Sequence, residues 1–433
     1  MSNDPLFMQT IIFLIIMAGA YGVGALLKFS TEICLFFAVI AGALVSGAGF
    51  ESFRHIAEGS VTYLDIGLIF FFATLFMNIL KSVGGIDMIV RWIIKSFHNK
   101  KILLLILLMF VLLIPGAITG AGSISVLVVG GTVSAALSAM GLKKERVSAI
   151  IFIVAGLSAA APPVNVWAMM TCAGTALPYV GFELPLLIPV LILGTFTIFF
   201  FSRKGKIENV NSALASIPEP SGLNGWSVGI PFLVLVLLIA VPKIIPFNFP
   251  VLGLPLIFAI CALTAWIMNA KKVKIVKVTR DTVSQLVPLL ATTAVVGMLI
   301  QVMSLNGTKG LLSLWIVTAP MALLYIILPI VIPFSEGLLT YGGAVVLGIP
   351  LIWMFNARGI NPVIALSGLS LLWPLGDALP PTKLIGRLTV DTVGYKGKYG
   401  NFLKTCIVPW ILITVTGILM IAFSNQLSFL MGK

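Results

Sequence analysis

Glu336, Asp377 and Lys383 fall inside long apolar runs, where a charged side chain is costly and usually functional. Pro162-Pro163 in AAAPPVNVW and Pro380-Pro381 in DALPPTKLIG interrupt stretches that otherwise read as single helices. Each pair removes two backbone donors and leaves carbonyls without intrahelical partners. Hydrocarbon tolerates this only where something else satisfies them. A bound cation does so, and half-helix N-termini attract anionic solutes near the bilayer midplane.

A polar hairpin precedes each break, GAITGAGSISVLVVGG (116–131) and IPFSEGLLTYGGAVV (332–346). Gly120, Gly122, Gly337, Gly342 and Gly343 permit tight turns, and Ser123, Ser125, Ser335, Thr340 and Tyr341 add hydroxyls. Asp377 and Lys383 suit either a mutual salt bridge or separate cation and anion binding. Asn78 and Gln301 suit either hydrogen bonds to unwound backbone or helix packing.

Other chemistries lack the residues they need. His55 and His98 sit in short polar stretches, and Cys34, Cys172, Cys261 and Cys406 are scattered singly, without metal or redox spacing. Neither Ser-His, His-Glu nor paired Asp motifs share a depth, so enzyme activity is not expected. A channel would show a repeated acidic or carbonyl filter, and none is found. No cofactor is expected beyond coupling ions.

The elements that position these residues follow from composition. With 59% hydrophobic and 9% charged residues among 433, and a mean hydropathy of +1.14, the chain reads as an all-α polytopic membrane protein. Apolar runs recur at 6–27, 30–49, 183–202, 251–269 and 406–424, and the first lacks the basic flank of a signal peptide. The net charge of +13 does not indicate nucleic acid, because the basic residues cluster between the runs, as in Lys143-Lys144-Arg146 and Lys271-Lys272-Lys274. If these clusters are cytoplasmic, Arg54, Lys243, Lys309, Arg358 and Lys433 lie opposite and Lys383 falls within the membrane. The threading then requires about ten full crossings, re-entrant hairpins at 102–140 and 310–357, and both termini outside, with segment 86–97 along the cytoplasmic interface.

Two copies of one pattern fit this threading. Asn78 and Gly84 match Gln301 and Gly307 at a shift of 223, whereas Gly141 and Pro162-Pro163 match Gly359 and Pro380-Pro381 at 218. The five-residue change is expected inside the hairpin, and an odd number of crossings between copies inverts one against the other. The expected organisation is scaffold helices at 1–61, a first repeat at 62–202, a cytoplasmic linker at 203–227, further scaffold at 228–280, a second repeat at 281–392 and a terminal helix at 393–433.

At these residues the sequence resembles the large membrane subunit of TRAP transporters, the DctM type. FMNILKSVGGIDMIV, the first hairpin, MGLKKERV and AAAPPVN resemble its first half; FSEGLLTYGG and RGINPVIALSGLSLLWPLGDALPP resemble its second. Thr382 and Lys383 stand where that family tends to have small uncharged residues. The resemblance implies an elevator-type transporter of the ion-transporter superfamily in a bacterial inner membrane. It implies sodium-driven uptake of a small organic anion such as a C4-dicarboxylate. The implied partners are a small membrane subunit and an extracytoplasmic binding protein; the alternatives are a stand-alone carboxylate symporter or proton coupling. Carried over, the cation sites fall around Gly120, Gly122, Ser123, Pro162, Glu336, Asp377 and Pro380. The substrate lies between the hairpin tips, near Ser125, Asn165, Thr340, Tyr341, Thr382 and Lys383.

Overall fold

The computed structural model of the chain describes residues 5–203, 205–207, 210–220, 222–245, 250 and 252–431, and it is helical throughout, without strands among them. Lys204, Lys433 and the side chain of Lys243, which entered the charge reading, lie outside the described residues. Nine helices among the described residues are long and apolar enough to cross a membrane, and four apolar helices are shorter. The chain is a multi-pass membrane protein.

The chain opens with α1 (Pro5–Leu26), α2 (Thr31–Val45), α3 (Glu51–Val61) and α4 (Leu64–Ser82). Gly84, at φ 78°, turns the chain into α5 (Gly85–Phe97), whose buried face is Ile86, Val90, Ile93 and Ile94, at helical spacing. Next come α6 (Lys101–Thr119), α7 (Gly122–Ser125), a π-helical turn (Val126–Gly130) and α8 (Gly131–Ala139), which together form the first hairpin. The first broken helix is α9 (Lys144–Ala160) and α10 (Val166–Thr175), and α11 (Glu183–Phe201) follows. After α12 (Val210–Ala215), α13 (Gly225–Ile244) and α14 (Leu254–Met268), the order repeats. It runs through α15 (Ile275–Leu305), α16 (Thr308–Thr318), a second hairpin of α17 (Met321–Leu339), a π-helical turn (Ala344–Gly348) and α18 (Ile349–Ala357), a second broken helix of α19 (Pro362–Gly376) and α20 (Leu384–Val393), and α21 (Tyr399–Ala422).

The two copies keep register closely. The π-helical turns, α8 and α18, and α10 and α20 begin and end 218 residues apart. Two boundaries differ from the sequence expectation. First, α6 and α17 start 220 residues apart and α5 and α16 start 223 apart, so only two of the five lost residues fall at the hairpin tip. The other three go before the hairpin, where α16 is two residues shorter than α5 and its connection is tighter. Second, the second hairpin begins at Met321, not at 310, because α16 occupies Thr308–Thr318. Ala319, preceding Pro320, is extended at φ −65° and ψ 137°, which separates the two helices.

Packing sorts the helices into two groups. In one, α15 packs against α2, α3 and α4, with α1 against α2 and α13 and α14 behind α4. The approach of α3 to α15 depends on glycine, since a methyl on Gly59 would lie 2.5 Å from Met298 Cα. In the other, α6 packs on α9, α17 on α19, and α9 and α19 on α21. Here α9 and α19 are buried along almost their whole lengths, as expected of helices apolar on every face.

Contacts also define two ends. Lys101 Nζ donates to Arg203 O at 2.7 Å, Lys206 N to Met140 O at 3.1 Å and Lys144 Nζ to Gly394 O at 3.1 Å, so the base of the first hairpin and the basic loops share one end. The base of the second hairpin lies at the other. Arg358 donates to Ala319 O at 2.8 Å, and Asn425 Nδ2 to Gly359 O at 2.9 Å. The tips meet between the ends, where Tyr341 Oη donates to Gly120 O at 3.2 Å.

Asn78 proves to join helices rather than to serve unwound backbone. Its Nδ2 donates to Thr282 Oγ1 at 2.9 Å and to Gln285 Oε1 at 3.1 Å, tying α4 to α15.

Candidate functional site

The first break is closed by its own side chains. Asn165 accepts from Ala168 N at 2.9 Å, capping α10, and its Nδ2 donates to Ala160 O at 3.0 Å. Tyr179 Oη donates to Pro163 O at 3.3 Å, and Val164 N reaches Ala117 O of the hairpin at 3.1 Å. Asn165 is fully buried. Gly122 lets hairpin and helix touch, since a methyl there would lie 2.5 Å from Ala155 O.

The second break carries charge of both signs. Glu336 lies in the last turn of α17 and Asp377 caps the C-terminus of α19. Both are buried, and Glu336 Oε1 and Oε2 and Asp377 Oδ1 have no hydrogen-bond partner. A helix C-terminus already carries partial negative charge, so two carboxylates at two such ends concentrate negative potential. Gly376 permits the arrangement, because a methyl there would lie 2.7 Å from Glu336 Cβ. The indole of Trp167 lies beside Glu336 without a hydrogen bond of good geometry, and Tyr341 lies within electrostatic reach of both carboxylates.

The expected alternative of an Asp377–Lys383 salt bridge is not what forms. Lys383, left-handed at φ 51°, places Nζ 5.1 Å from the centroid of the Tyr399 ring. Tyr399 Oη in turn donates to Ala378 O at 2.9 Å. No side chain caps α20; Gly386 N in its first turn donates to Asp377 O at 3.1 Å, and the positive end of the helix lies beside Lys383. The backbone of the two halves is thus joined, while the Asp377 and Lys383 side chains form no ion pair.

A half-open cavity of about 1060 Å³ lies against this positive half. Ser123 of the first hairpin, Thr340 of the second and Pro381, Thr382 and Lys383 of the break form one wall. Lys28, Glu32 and Gln285, from the α1–α2 connection, α2 and α15, form the other. Arg387 and Asp391 extend the first wall toward Gly394 at the basic end. Thr382 Oγ1 donates to Gly337 O at 3.0 Å, and Thr340 N to Glu336 O at 2.8 Å, so the carboxylates lie directly behind this wall.

Of the residues expected from the sequence, Ser123, Thr340, Thr382 and Lys383 meet at this cavity, and Glu336 and Asp377 form the buried pair behind it. Pro380 flanks the pair, its carbonyl near Gly337. Gly120 and Tyr341 join the tips to each other, Ser125 Oγ donates within the hairpin to Leu112 O, and Asn165 and Pro162 belong to the self-closed first break. None of these five is on the cavity wall. Sequence reasoning missed Arg387 and Asp391, although they follow Lys383 at helical spacings of four and eight. It also missed Lys28, Glu32 and Gln285, which tertiary packing alone brings there.

No family model matches the chain, and no curated protein matches it. Two solved structures resemble it. Neisseria gonorrhoeae MtrF, described as illuminating a class of antimetabolite efflux pumps, aligns at a TM-score of 0.63 and 11% identity, over 86% of this chain and 84% of that one. The Alcanivorax borkumensis YdaH transporter, described as having an unusual topology, aligns at a TM-score of 0.59 and 13% identity, over 98% and 99%. At such identities the likeness is one of fold, and this chain has an all-helical membrane-transporter fold.

Proposed function

We propose that the chain is a secondary active transporter that couples movement of a small organic anion to a cation. The observation that carries this reading is the second break, with two buried carboxylates at helix C-termini, without hydrogen-bond partners for Glu336 Oε1 and Oε2 and Asp377 Oδ1, next to a cavity lined by Lys383 and Arg387 at the start of α20. Uncompensated buried carboxylates are costly, so a cation must accompany them when the site faces no water. Sodium is the proposed coupling ion and a proton the alternative, with Glu336 and Asp377 as ligands. The solute is a carboxylate, for which the TRAP resemblance nominates C4-dicarboxylates.

In this reading the two copies are inverted, and the hairpin-bearing group moves against α1–α4 and α13–α15 as an elevator. The basic end is cytoplasmic by the positive-inside rule, the termini lie outside a bacterial inner membrane, and the cavity belongs to an inward-facing form. A small membrane subunit and an extracytoplasmic binding protein enter the proposal through the sequence motifs alone; a stand-alone symporter needs neither. Export is a second reading, supported by the description of MtrF as illuminating a class of antimetabolite efflux pumps.

Uptake of labelled dicarboxylate into proteoliposomes, with a sodium gradient, with a pH gradient and with neither, tests the coupling. Accumulation under one gradient identifies the ion, and equal uptake in all three rejects gradient-driven transport. Reversing the gradient separates import from export.

A further inference from the structure

The cavity walls are too large and too apolar for a four-carbon dicarboxylate. At about 1060 Å³ the cavity matches the upper end of the ~300–1,000 Å³ range of sites for drug-sized ligands. Its cations are not distributed to grip two separated carboxylates. Lys383 and Arg387 stand one turn apart on α20, and Asp391 occupies the next turn. Lys28 on the facing wall has Glu32 one turn away, so a second carboxylate reaching past the Lys383–Arg387 pair meets Asp391 or Glu32. Beside that pair runs an apolar surface. Leu384 and Leu388 follow it along α20, with Leu127 of the first hairpin adjoining. Leu384 keeps 37% of its surface exposed at the cavity, an arrangement that favours an apolar occupant over water.

We infer that the solute is an amphipathic monoanion, its single acidic head held by Lys383, Arg387 and the N-terminus of α20, and its apolar body laid along Leu384, Leu388 and Leu127. This rests on the transporter reading and replaces the dicarboxylate that the sequence motifs nominate. The two acidic residues farther along the cavity then act as a selectivity filter against dianions, by like-charge repulsion.

Purified full-length protein in phosphatidylcholine nanodiscs tests the inference by equilibrium binding of succinate, butanoate, hexanoate, octanoate and 4-phenylbutanoate. Affinity is expected to rise about threefold to fourfold per added methylene, and 4-phenylbutanoate to bind at least about tenfold tighter than succinate. Lys383→Met weakens binding of every probe about 10–100-fold, which distinguishes the site from partition into lipid. Leu384→Ser weakens octanoate about tenfold and leaves butanoate within about twofold. Tighter binding of succinate than of octanoate, or no dependence on chain length in the wild-type protein, overturns the inference while leaving the transporter reading in place. Failure of every probe, succinate included, overturns both. Because a lipid headgroup offers the same chemistry, the series is repeated in discs containing phosphatidylglycerol. Unchanged binding supports a free solute, and loss of binding assigns the cavity to a bilayer lipid and overturns the inference.

Discussion

The two helix breaks share a double proline, a preceding hairpin and one register, yet they differ in everything that bears on a ligand. At the first, Asn165 and Tyr179 supply hydrogen bonds to Ala160 O and Pro163 O, and Val164 docks on the hairpin, so interrupted backbone is satisfied within the protein. At the second, backbone is satisfied too, by Tyr399 Oη on Ala378 O and Gly386 N on Asp377 O, but the position equivalent to Asn165 is Lys383, whose side chain caps nothing and turns to Tyr399, and the position equivalent to Ala159 is Asp377. The repeated architecture therefore supplies two interruptions, while the charges proposed to recognise solute and ion are concentrated in one. A broken helix in a membrane is not by itself a binding site; it becomes one where its polar groups are left without internal partners.

The sharpest test of this contrast is to neutralise the acids. Asp377→Asn and Glu336→Gln are expected to reduce gradient-driven accumulation in proteoliposomes by about 10²–10³-fold, the scale of removing one partner of a buried ionic site. Their thermal unfolding temperature in detergent should not fall, because an uncompensated charge has been removed. Accumulation at the wild-type level would place the coupling ion elsewhere. Next in size, Lys383→Ala or Arg387→Ala is expected to raise KM about 10–100-fold, from the loss of a charge-assisted contact worth about 1.5–3 kcal/mol.

The first break should answer differently. Asn165→Ala removes a cap worth about 1 kcal/mol and leaves Ala160 O buried without its partner, at about 1–3 kcal/mol. Stability measured by denaturation should drop accordingly, while KM stays near the wild-type value. A large KM effect with unchanged stability would erase the distinction between the breaks. The smallest effects belong to Tyr399. Tyr399→Phe loses the bond to Ala378 O, at about 0.5–1.5 kcal/mol of stability, but keeps the ring beneath Lys383. Tyr399→Leu also loses a cation–π contact of about 0.5–1 kcal/mol. Comparing their KM values measures how far that ring positions the lysine.

The sequence displays what local chemistry enforces. Prolines and glycines punctuate a chain wherever they occur, so the breaks at 162–163 and 380–381 and the hairpins before them were legible, as were the basic loops. The start of the second hairpin was not, because an unbroken apolar run joins α16 to α17 and only Pro320 marks the boundary. Arg387 and Asp391 were within reach once α20 is known to begin at Leu384, since helical spacing places them below Lys383. Lys28, Glu32 and Gln285 lie about 100 to 360 positions from the break residues they face, and no periodicity connects them. The different fates of Asn165 and Lys383 depend on partners, Ala160 and Tyr399, that only folding selects.

The bond from Tyr341 Oη to Gly120 O, with the Trp167 ring tilted against the same tyrosine at 5.4 Å, fastens one turnaround to the other between the two ends of the molecule. Neither loop can lift like a trapdoor without dragging its counterpart. In the elevator reading proposed above, access from the two aqueous sides alternates by sliding the fastened pair as one body past α2 and α15, and a variant that unfastens it lets the sides communicate, turning a pump into a leak.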